Sequence, residues 1–310
     1  MKIGCWELQQ FCEGVEATLS LLIGAVQEKR VFPSHYGFLD LAVSLGLKWV
    51  EFKYEERLDR DGTMRYGAGT RLGEYAAANN IEVSVHAAFD DGINLGTKNK
   101  ELLHITRRRV RESVDFAERV NAKYLTVHGG FYSLGYALTP RSENLLPPFQ
   151  QVREELGGKE FAGLKTRIYQ EIGALREYAK QRGVVVALEN LHGFSYDRTR
   201  FPVTPQDFFE CQAALGDDLP LVYDSGHANS TGLTASEFIL AVGLNNIVGA
   251  HIHDNDGTDD QHLSLGEGNI DFPQFFLDYV ENGAAFPLNF ELRFKKHFIE
   301  SKKFVEGLKK

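Results

Sequence analysis

The chain has 310 residues, is 43% hydrophobic and carries a formal charge of −9. It can bury one large core, and α/β barrels of this size are commonly single domains. No apolar run approaches the roughly 18 residues that a membrane span needs. Met1-Lys2-Ile3-Gly4 leads into Cys5-Trp6-Glu7 without the pattern of a signal peptide, so a soluble, cytoplasmic protein with no membrane partner is expected. The acidic balance argues mildly against a dedicated nucleic-acid binder, although a local basic face would survive it. Cys5, Cys12 and Cys211 lack CxxC spacing, which points to reduced structural thiols and no disulfide.

Along the chain, β-branched and aromatic runs alternate with amphipathic stretches. Strands are expected at Lys2–Cys5, Lys48–Phe52, Glu82–His86, Tyr124–His128, Val184–Glu189, Leu219–Asp224, Ile247–His251 and Pro287–Leu292. Helices are expected between them at Tyr36–Leu45, Thr70–Asn79, Lys100–Val120, Leu164–Arg182, Pro205–Ala214, Thr234–Val242 and Phe272–Glu281. In the fourth helix Ile168, Ile172, Leu175 and Ala179 keep helical spacing, and Gly183 supplies the stop.

Repeated alternation implies parallel strands with right-handed crossovers, hence an α/β fold of the (β/α)8 TIM-barrel type, with residues 1–310 as one domain. A doubly wound open sheet is the alternative, but no GxGxxG follows the first strand. The one long departure, Phe131–Gly163 with Pro140, Pro147 and Pro148, is read as an insertion after strand four that forms a lid near the barrel mouth.

In such a barrel the active site is built at the C-terminal ends of the strands. Those positions carry His86, His128, Glu189, Asp224 with His227 just after it, His251 and Glu291, and the loop after strand seven adds Asp260 and His262. A lone His or Glu at a strand end is usually a satisfied core or rim residue. Recurrence around one rim is what points to a metal site, and a solvated acidic loop would not explain His251, His253 and His262 arriving together with the aspartates. Imidazole with carboxylate and no thiolate suits zinc or manganese and disfavours calcium or an iron–sulfur cluster. One ion takes about four to six ligands, so nine candidates leave room for one to three ions or for groups that meet substrate.

His251 and His253 lie two apart on a strand and share a face, so either could be the strand-seven ligand. The H-x-x-D spacing to Asp254 favours His251 and leaves His253 nearer the substrate. Arg293 shares a face with Glu291 and is a candidate for a substrate phosphate or carboxylate, with a structural ion pair an equal alternative. The run Arg107, Arg108, Arg109 and Arg111 is read as a solvated helix face.

The segments Val85-His86-Ala87-Ala88-Phe89 with Ile93-Asn94-Leu95-Gly96, Val127-His128-Gly129-Gly130, Leu188-Glu189-Asn190, Tyr223-Asp224-Ser225-Gly226-His227-Ala228, His251-Ile252-His253-Asp254, Asp260 to Ile270 and Phe290-Glu291 resemble the xylose isomerase-like TIM barrels. That family includes sugar isomerases and epimerases and the apurinic endonuclease IV group. The isomerase and epimerase branch implies one divalent ion on Glu189, Asp224, His251 and Glu291, the two glutamates passing a proton beside a carbonyl of a carbohydrate or polyol, phosphorylated or not, with His227 contacting substrate. The endonuclease branch implies three zinc ions, with His86, His128, His227, Asp260 and His262 added, hydrolysing the phosphodiester of abasic DNA. A dehydratase or lyase using the same metal and glutamates is a third reading.

Three departures favour the isomerase or epimerase branch. Gly129 follows His128 where the endonuclease usually has Pro, Asp90 and Asp91 would repel a DNA backbone, and Phe131–Gly163 is long enough to close over a small polyol. Oligomeric state is left open, a homo-oligomer included.

Overall fold

A computed structural model of the chain describes residues 23–27, 34–54, 68–89, 92–134 and 146–308. Its strands are β1 (Ile23–Val26), β2 (Trp49–Lys53), β3 (Glu82–His86), β4 (Leu125–Val127), β5 (Gly130–Ser133), β6 (Val186–Glu189), β7 (Arg198–Phe201), β8 (Leu221–Asp224), β9 (Ile247–Ile252) and β10 (Leu288–Phe290). All but β5 and β7 form a closed parallel barrel in the order β1-β10-β9-β8-β6-β4-β3-β2, and helices connect the strands as in a (β/α)8 barrel. The expected barrel is therefore present, with one correction. Lys2–Cys5 lies outside the described residues, and the barrel closes through Ile23–Val26, a run not anticipated from the pattern.

The physical reason lies inside the barrel. Trp49 stacks on Tyr124 with ring centroids 6.0 Å apart, and these large side chains leave no room opposite them. A Cβ on Gly24 would lie 2.1 Å from Asn289 Oδ1 and 2.6 Å from Trp49 Cβ, and one on Gly249 would lie 2.0 Å from the Tyr124 hydroxyl. Small residues on β1 and β9 thus complement large ones on a neighbouring strand and across the barrel interior. They also dilute the β-branched signal by which a strand is recognised.

Each expected helix is present with small shifts at its ends, and local chemistry explains the boundaries. Ser34 caps His35–Leu45, and Gly46 closes it at φ 69°. Thr204 and Asp207 form a capping box at Pro205–Leu215, and Thr234 and Glu237 another at Ala235–Val242. The largest shift is in the fourth helix, which begins at Gly158 rather than Leu164 and runs to Lys180. Helices Pro148–Leu156, Ser225–Asn229 and Lys295–Gly307 were not expected.

The Phe131–Gly163 insertion is described in part, and Pro140 lies outside the described residues. β5 pairs antiparallel with β7, Phe131 opposite Arg200 and Ser133 opposite Arg198, so this ribbon draws on two separate connections. Helix Pro148–Leu156 braces it from behind: the Arg153 guanidinium bonds Asp207 at 2.7 and 3.2 Å and donates to the Arg200 carbonyl at 3.2 Å. Among the described residues, no helix is long and apolar enough to cross a membrane.

Candidate functional site

Alternation along β2 turns Trp49, Glu51 and Lys53 toward the barrel interior, and the strand ends around them carry the expected set. His86, Glu189, Asp224, His227, His251 and Glu291 are buried, while His128, Asp260 and His262 are partly exposed at the rim. Their ligand-capable atoms fall into adjoining groups. Glu189, Asp224, His251 and Glu291 form a four-donor group; His86 and His128 join Glu189; His227 and His253 join Asp224; and Asp260 and His262 join His253.

Several imidazoles are aimed by a hydrogen bond from one ring nitrogen, which leaves the other nitrogen facing the site. His86 Nδ1 lies 2.8 Å from the Ala87 carbonyl, His227 Nδ1 2.8 Å from the Asn190 carbonyl, and His262 Nδ1 2.9 Å from the Glu291 carbonyl. His251 uses its Nε2, 2.8 Å from Glu51 Oε1. Carbonyls and carboxylates that accept one imidazole N–H fix the tautomer and orient the opposite lone pair, the usual arrangement behind a metal ligand.

The remaining atoms converge without bonding one another. His251 Nδ1 lies 3.4 Å from Glu189 Oε1, 3.8 Å from Asp224 Oδ2 and 3.1 Å from Glu291 Oε2. Even so, His251 Nδ1 and Asp224 Oδ2 are buried and have no hydrogen-bond partner among the described residues. Four donors around a tetrahedral ion at about 2.1 Å stand about 3.4 Å apart. The separations and the orphaned atoms therefore fit a divalent cation at their centre.

Glu189 is two-sided. Its Oε2 lies 3.1 Å from His86 Nε2 and 3.0 Å from His128 Nε2, and its Oε1 lies 3.3 Å from His227 Nδ1. The third cluster is centred on Asp260, whose Oδ2 is 3.1 Å from His262 Nε2 and 3.7 Å from His227 Nε2. The structure therefore brings all nine sequence-derived candidates into one rim.

His253 is fully buried and stacks on His262 with ring centroids 4.0 Å apart. It is thus held behind the cavity wall rather than on the substrate side where the spacing had put it. Arg293 is exposed and donates to the Asp260 carbonyl at 2.7 Å, which anchors the Asp260 loop.

Charge distribution follows from this packing. Burial acts to raise the Glu189 carboxyl, but the His128 and His251 imidazoles outweigh it and hold the group well below the usual range. Glu291 behaves alike, with Lys53 Nζ 2.8 Å from its Oε1 as the main opposing charge. Burial acts to lower His227 and His251, yet the carboxylates around them raise both well above the ordinary histidine value.

The rim opens into a cavity of about 830 Å³, within the range of small-molecule sites. Lys53, His86, His128, Glu189, His227, Asp260, His262, Glu291 and Arg293 line one side. His192, Phe131, Arg198 and Arg200 line it from the β6 exit and the ribbon.

Sequence reasoning missed Glu51, Lys53, His192, Arg198 and Arg200. The available signals were charged residues at alternate positions of an otherwise apolar strand in Trp49-Val50-Glu51-Phe52-Lys53, and a His three residues after Glu189. Asp90 and Asp91 lie outside the described residues. The run Arg107–Arg111 sits on the outer helix, with Arg107 bonded twice to Glu171 at 2.6 Å and Arg111 over the Tyr178 ring. Cys211 is free and buried, and Cys5 and Cys12 lie outside the described residues.

The sequence matches the family described as xylose isomerase-like TIM barrel over residues 39–306. An uncharacterized protein of Methanocaldococcus jannaschii is 26% identical over 229 residues, 73% of this chain and 69% of its own. Among solved structures, a D-tagatose 3-epimerase-like protein superposes with a TM-score of 0.72 at 22% identity, covering 93% of this chain and 96% of that one. The 3-keto-D-glucoside 4-epimerase of E. coli superposes at 0.67 with 14% identity, covering 93% and 98%. The fold, the match across most of its length and the rim of donors at the barrel mouth agree: this chain belongs to the xylose isomerase-like TIM barrel family.

Proposed function

We propose that the chain is an isomerase or epimerase that moves a proton at the carbon beside a carbonyl of a sugar or polyol, with one divalent cation, manganese or zinc, held by Glu189, Asp224, His251 and Glu291. The observation that carries this reading is the four-donor group with its orphaned His251 Nδ1 and Asp224 Oδ2, set at the base of a walled cavity. The superposed proteins named as epimerases support the reaction class. When bound, such a cation supplies positive charge to the carbonyl and adjacent hydroxyl oxygens and stabilises the negative charge that develops as the proton leaves.

The chain's own groups supply the proton transfer. Glu189 and Glu291 are ionised at neutral pH and so begin as bases. Isomerisation needs one of them, which takes the proton from one carbon and returns it to the next. Epimerisation also needs the other, on the opposite face, to take up a proton from water before it delivers one to that carbon. Lys53 keeps the Glu291 carboxylate oriented, and Phe131 on the ribbon shields the cavity from water.

The test is exchange in D2O. Protein stripped with chelator and reloaded with Mn2+ or Zn2+ is incubated with a panel of ketoses, polyol-derived ketones and their phosphates, and deuterium entry beside the carbonyl is followed by NMR. Exchange is expected with at least one class, and loss of it in both Glu189→Gln and Glu291→Gln. Exchange that persists in both variants would rule the assignment out.

One observation favours a second reading. Glu189 Oε2 faces His86 and His128 while its Oε1 faces His251, as a carboxylate shared by two ions would, and Asp260 gathers a further group. A multinuclear zinc site of that kind suits hydrolysis of a phosphodiester. Three tightly held zinc ions per chain together with cleavage of an abasic duplex would select it; a single bound ion with deuterium exchange selects the first.

A further inference from the structure

Arg198 and Arg200 belong to none of the donor groups, yet both line the same cavity. Alternation along β7 places them on one face of the ribbon, while Thr199 and Phe201 are buried on the other. Phe201 packs edge-on against Phe161 and Tyr169, and Arg153 bonds the Arg200 carbonyl, so the strand that presents the two arginines is held from behind.

Asp260, Asp197 and Asp259 act on the Arg200 charge, yet part of its guanidinium lacks a hydrogen-bond partner. Its Nη1 is buried and has no hydrogen-bond partner among the described residues. Beside it, His192 Nδ1 is likewise buried and without a partner. Arg198 lies with its guanidinium 5.2 Å above the Phe131 ring, and its Nε is 3.9 Å from Asp197 Oδ2. A buried N–H of a charged guanidinium without an acceptor is costly, and the cost is relieved by an anion that reaches it from the cavity. Burial, reinforced by the charge of Arg198, pulls Arg200 down to about 10.

We propose that Arg200, assisted by Arg198 and His192, is a phosphate subsite of the cavity, and that the substrate is a phosphorylated sugar or polyol whose phosphate rests on the ribbon while its carbon chain reaches the donor rim. This rests on the cavity being the active site, as in the function proposed above. Two guanidinium groups and a ring nitrogen offer more donors than a planar carboxylate takes, and suit a dianion with three free oxygens. Asp260 lines the same cavity and is near enough for its charge to act on Arg200. A phosphate in this position would leave the rest of the molecule directed toward Asp260, His227 and Glu189.

The test is direct binding of inorganic phosphate, read by isothermal titration at fixed ionic strength on chelator-stripped protein, so that no metal contributes. Wild-type protein is expected to bind phosphate, Arg200→Gln to bind it at least about tenfold more weakly, and Arg200→Lys to recover part of the loss. Arg198→Gln, at an exposed position, should weaken binding by a smaller factor. Unchanged melting temperature and unchanged manganese or zinc stoichiometry show that the variants are folded.

Absence of phosphate binding in the stripped wild type, or equal binding by Arg200→Gln, overturns the subsite. So does phosphate binding that appears only after metal is restored and does not respond to Arg200→Gln. The two readings fail separately. Phosphate binding without deuterium exchange on any substrate sinks the proton-transfer reaction alone. Exchange that is equally efficient on free and phosphorylated sugars, without phosphate binding, sinks the subsite alone.

Discussion

His251 Nε2 lies 2.8 Å from Oε1 of Glu51, and both residues are fully buried inside the barrel. Glu51 is itself fixed, since its Oε2 accepts from the Ser84 hydroxyl at 2.7 Å and Ser84 Oγ accepts from Trp49 Nε1 at 2.9 Å. A chain of three hydrogen bonds therefore runs from the packed lower barrel to Nε2 of His251 and fixes the ring so that its other nitrogen, Nδ1, faces Glu189, Asp224 and Glu291. Burial acts to raise the Glu51 carboxyl, but His251 outweighs it and keeps the group ionised.

Glu51→Gln should consequently weaken metal binding without touching the ion. The lost carboxylate partner leaves His251 less basic and less constrained, and losses of about 10- to 100-fold are typical for such partners. Competition with a chromogenic chelator measures the affinity. Wild-type affinity in a folded Glu51→Gln protein would remove Glu51 from this role.

Lys53→Met bears on the acid limb of the pH profile. Burial raises the Glu291 carboxyl and Lys53 is the largest influence against it, so removing the cation should raise the Glu291 pKa. A base that must be ionised then needs a higher pH, and the acid limb of kcat/KM for deuterium exchange should move upward. An unmoved limb would show that Glu291 is not the group titrating there.

Metal and proton compete for the same atoms. In the metal-free protein His227 and His251 are raised despite their burial, so the stability they contribute is complete below about pH 6.5, the unfolded value, and is lost as pH climbs through their folded values. Glu189, Glu291 and Asp260 are lowered despite burial, so their contribution is present above about pH 4 and is lost as pH falls through their folded values. Stripped protein should melt highest in the mildly acid window between these limits. Loading with zinc or manganese requires neutral imidazoles, should release protons, and should shift the melting maximum toward higher pH. Melting curves taken from pH 4 to 9 check this, and a maximum at the same pH with and without metal would contradict it.

The barrel interior makes a prediction independent of chemistry. Gly249→Ala places a Cβ 2.0 Å from the Tyr124 hydroxyl and should destabilise the fold by about 1–3 kcal/mol, the usual range for overpacking. Adding Tyr124→Phe, which removes the clashing oxygen, should recover part of that loss. Denaturant unfolding of the two single variants and the double variant tests the coupling, and strictly additive effects would mean that Gly249 and Tyr124 do not oppose each other.

Much of this was legible in the chain itself, because a barrel strand writes its role into a short repeat. Apolar alternation announced the strands from Lys48–Phe52 onward, helical spacing with Gly183 as a stop marked the fourth helix, and Glu189, Asp224, His251 and Glu291 stood out as polar groups where an apolar run stops. β1 escaped because Gly24 answers to Trp49 and Asn289 on neighbouring strands, a constraint invisible along the sequence. Glu51 and Lys53 escaped for the same reason: a charged residue within a strand has no meaning until the barrel closes and sets it against His251 or Glu291.

Tertiary structure also gives two neighbouring histidines different surroundings. His251 is held by Glu51 with its free nitrogen in the four-donor group, whereas His253, two residues on, is packed behind His262. Only the fold could bring Arg200 of one connection opposite Phe131 of another and set it in the wall of the cavity. The sequence by itself thus determined which residue types stand at the ends of the strands, since that is a local pattern. Which atoms of those residues face one another was decided by barrel closure, since that depends on the register of strands far apart in the chain.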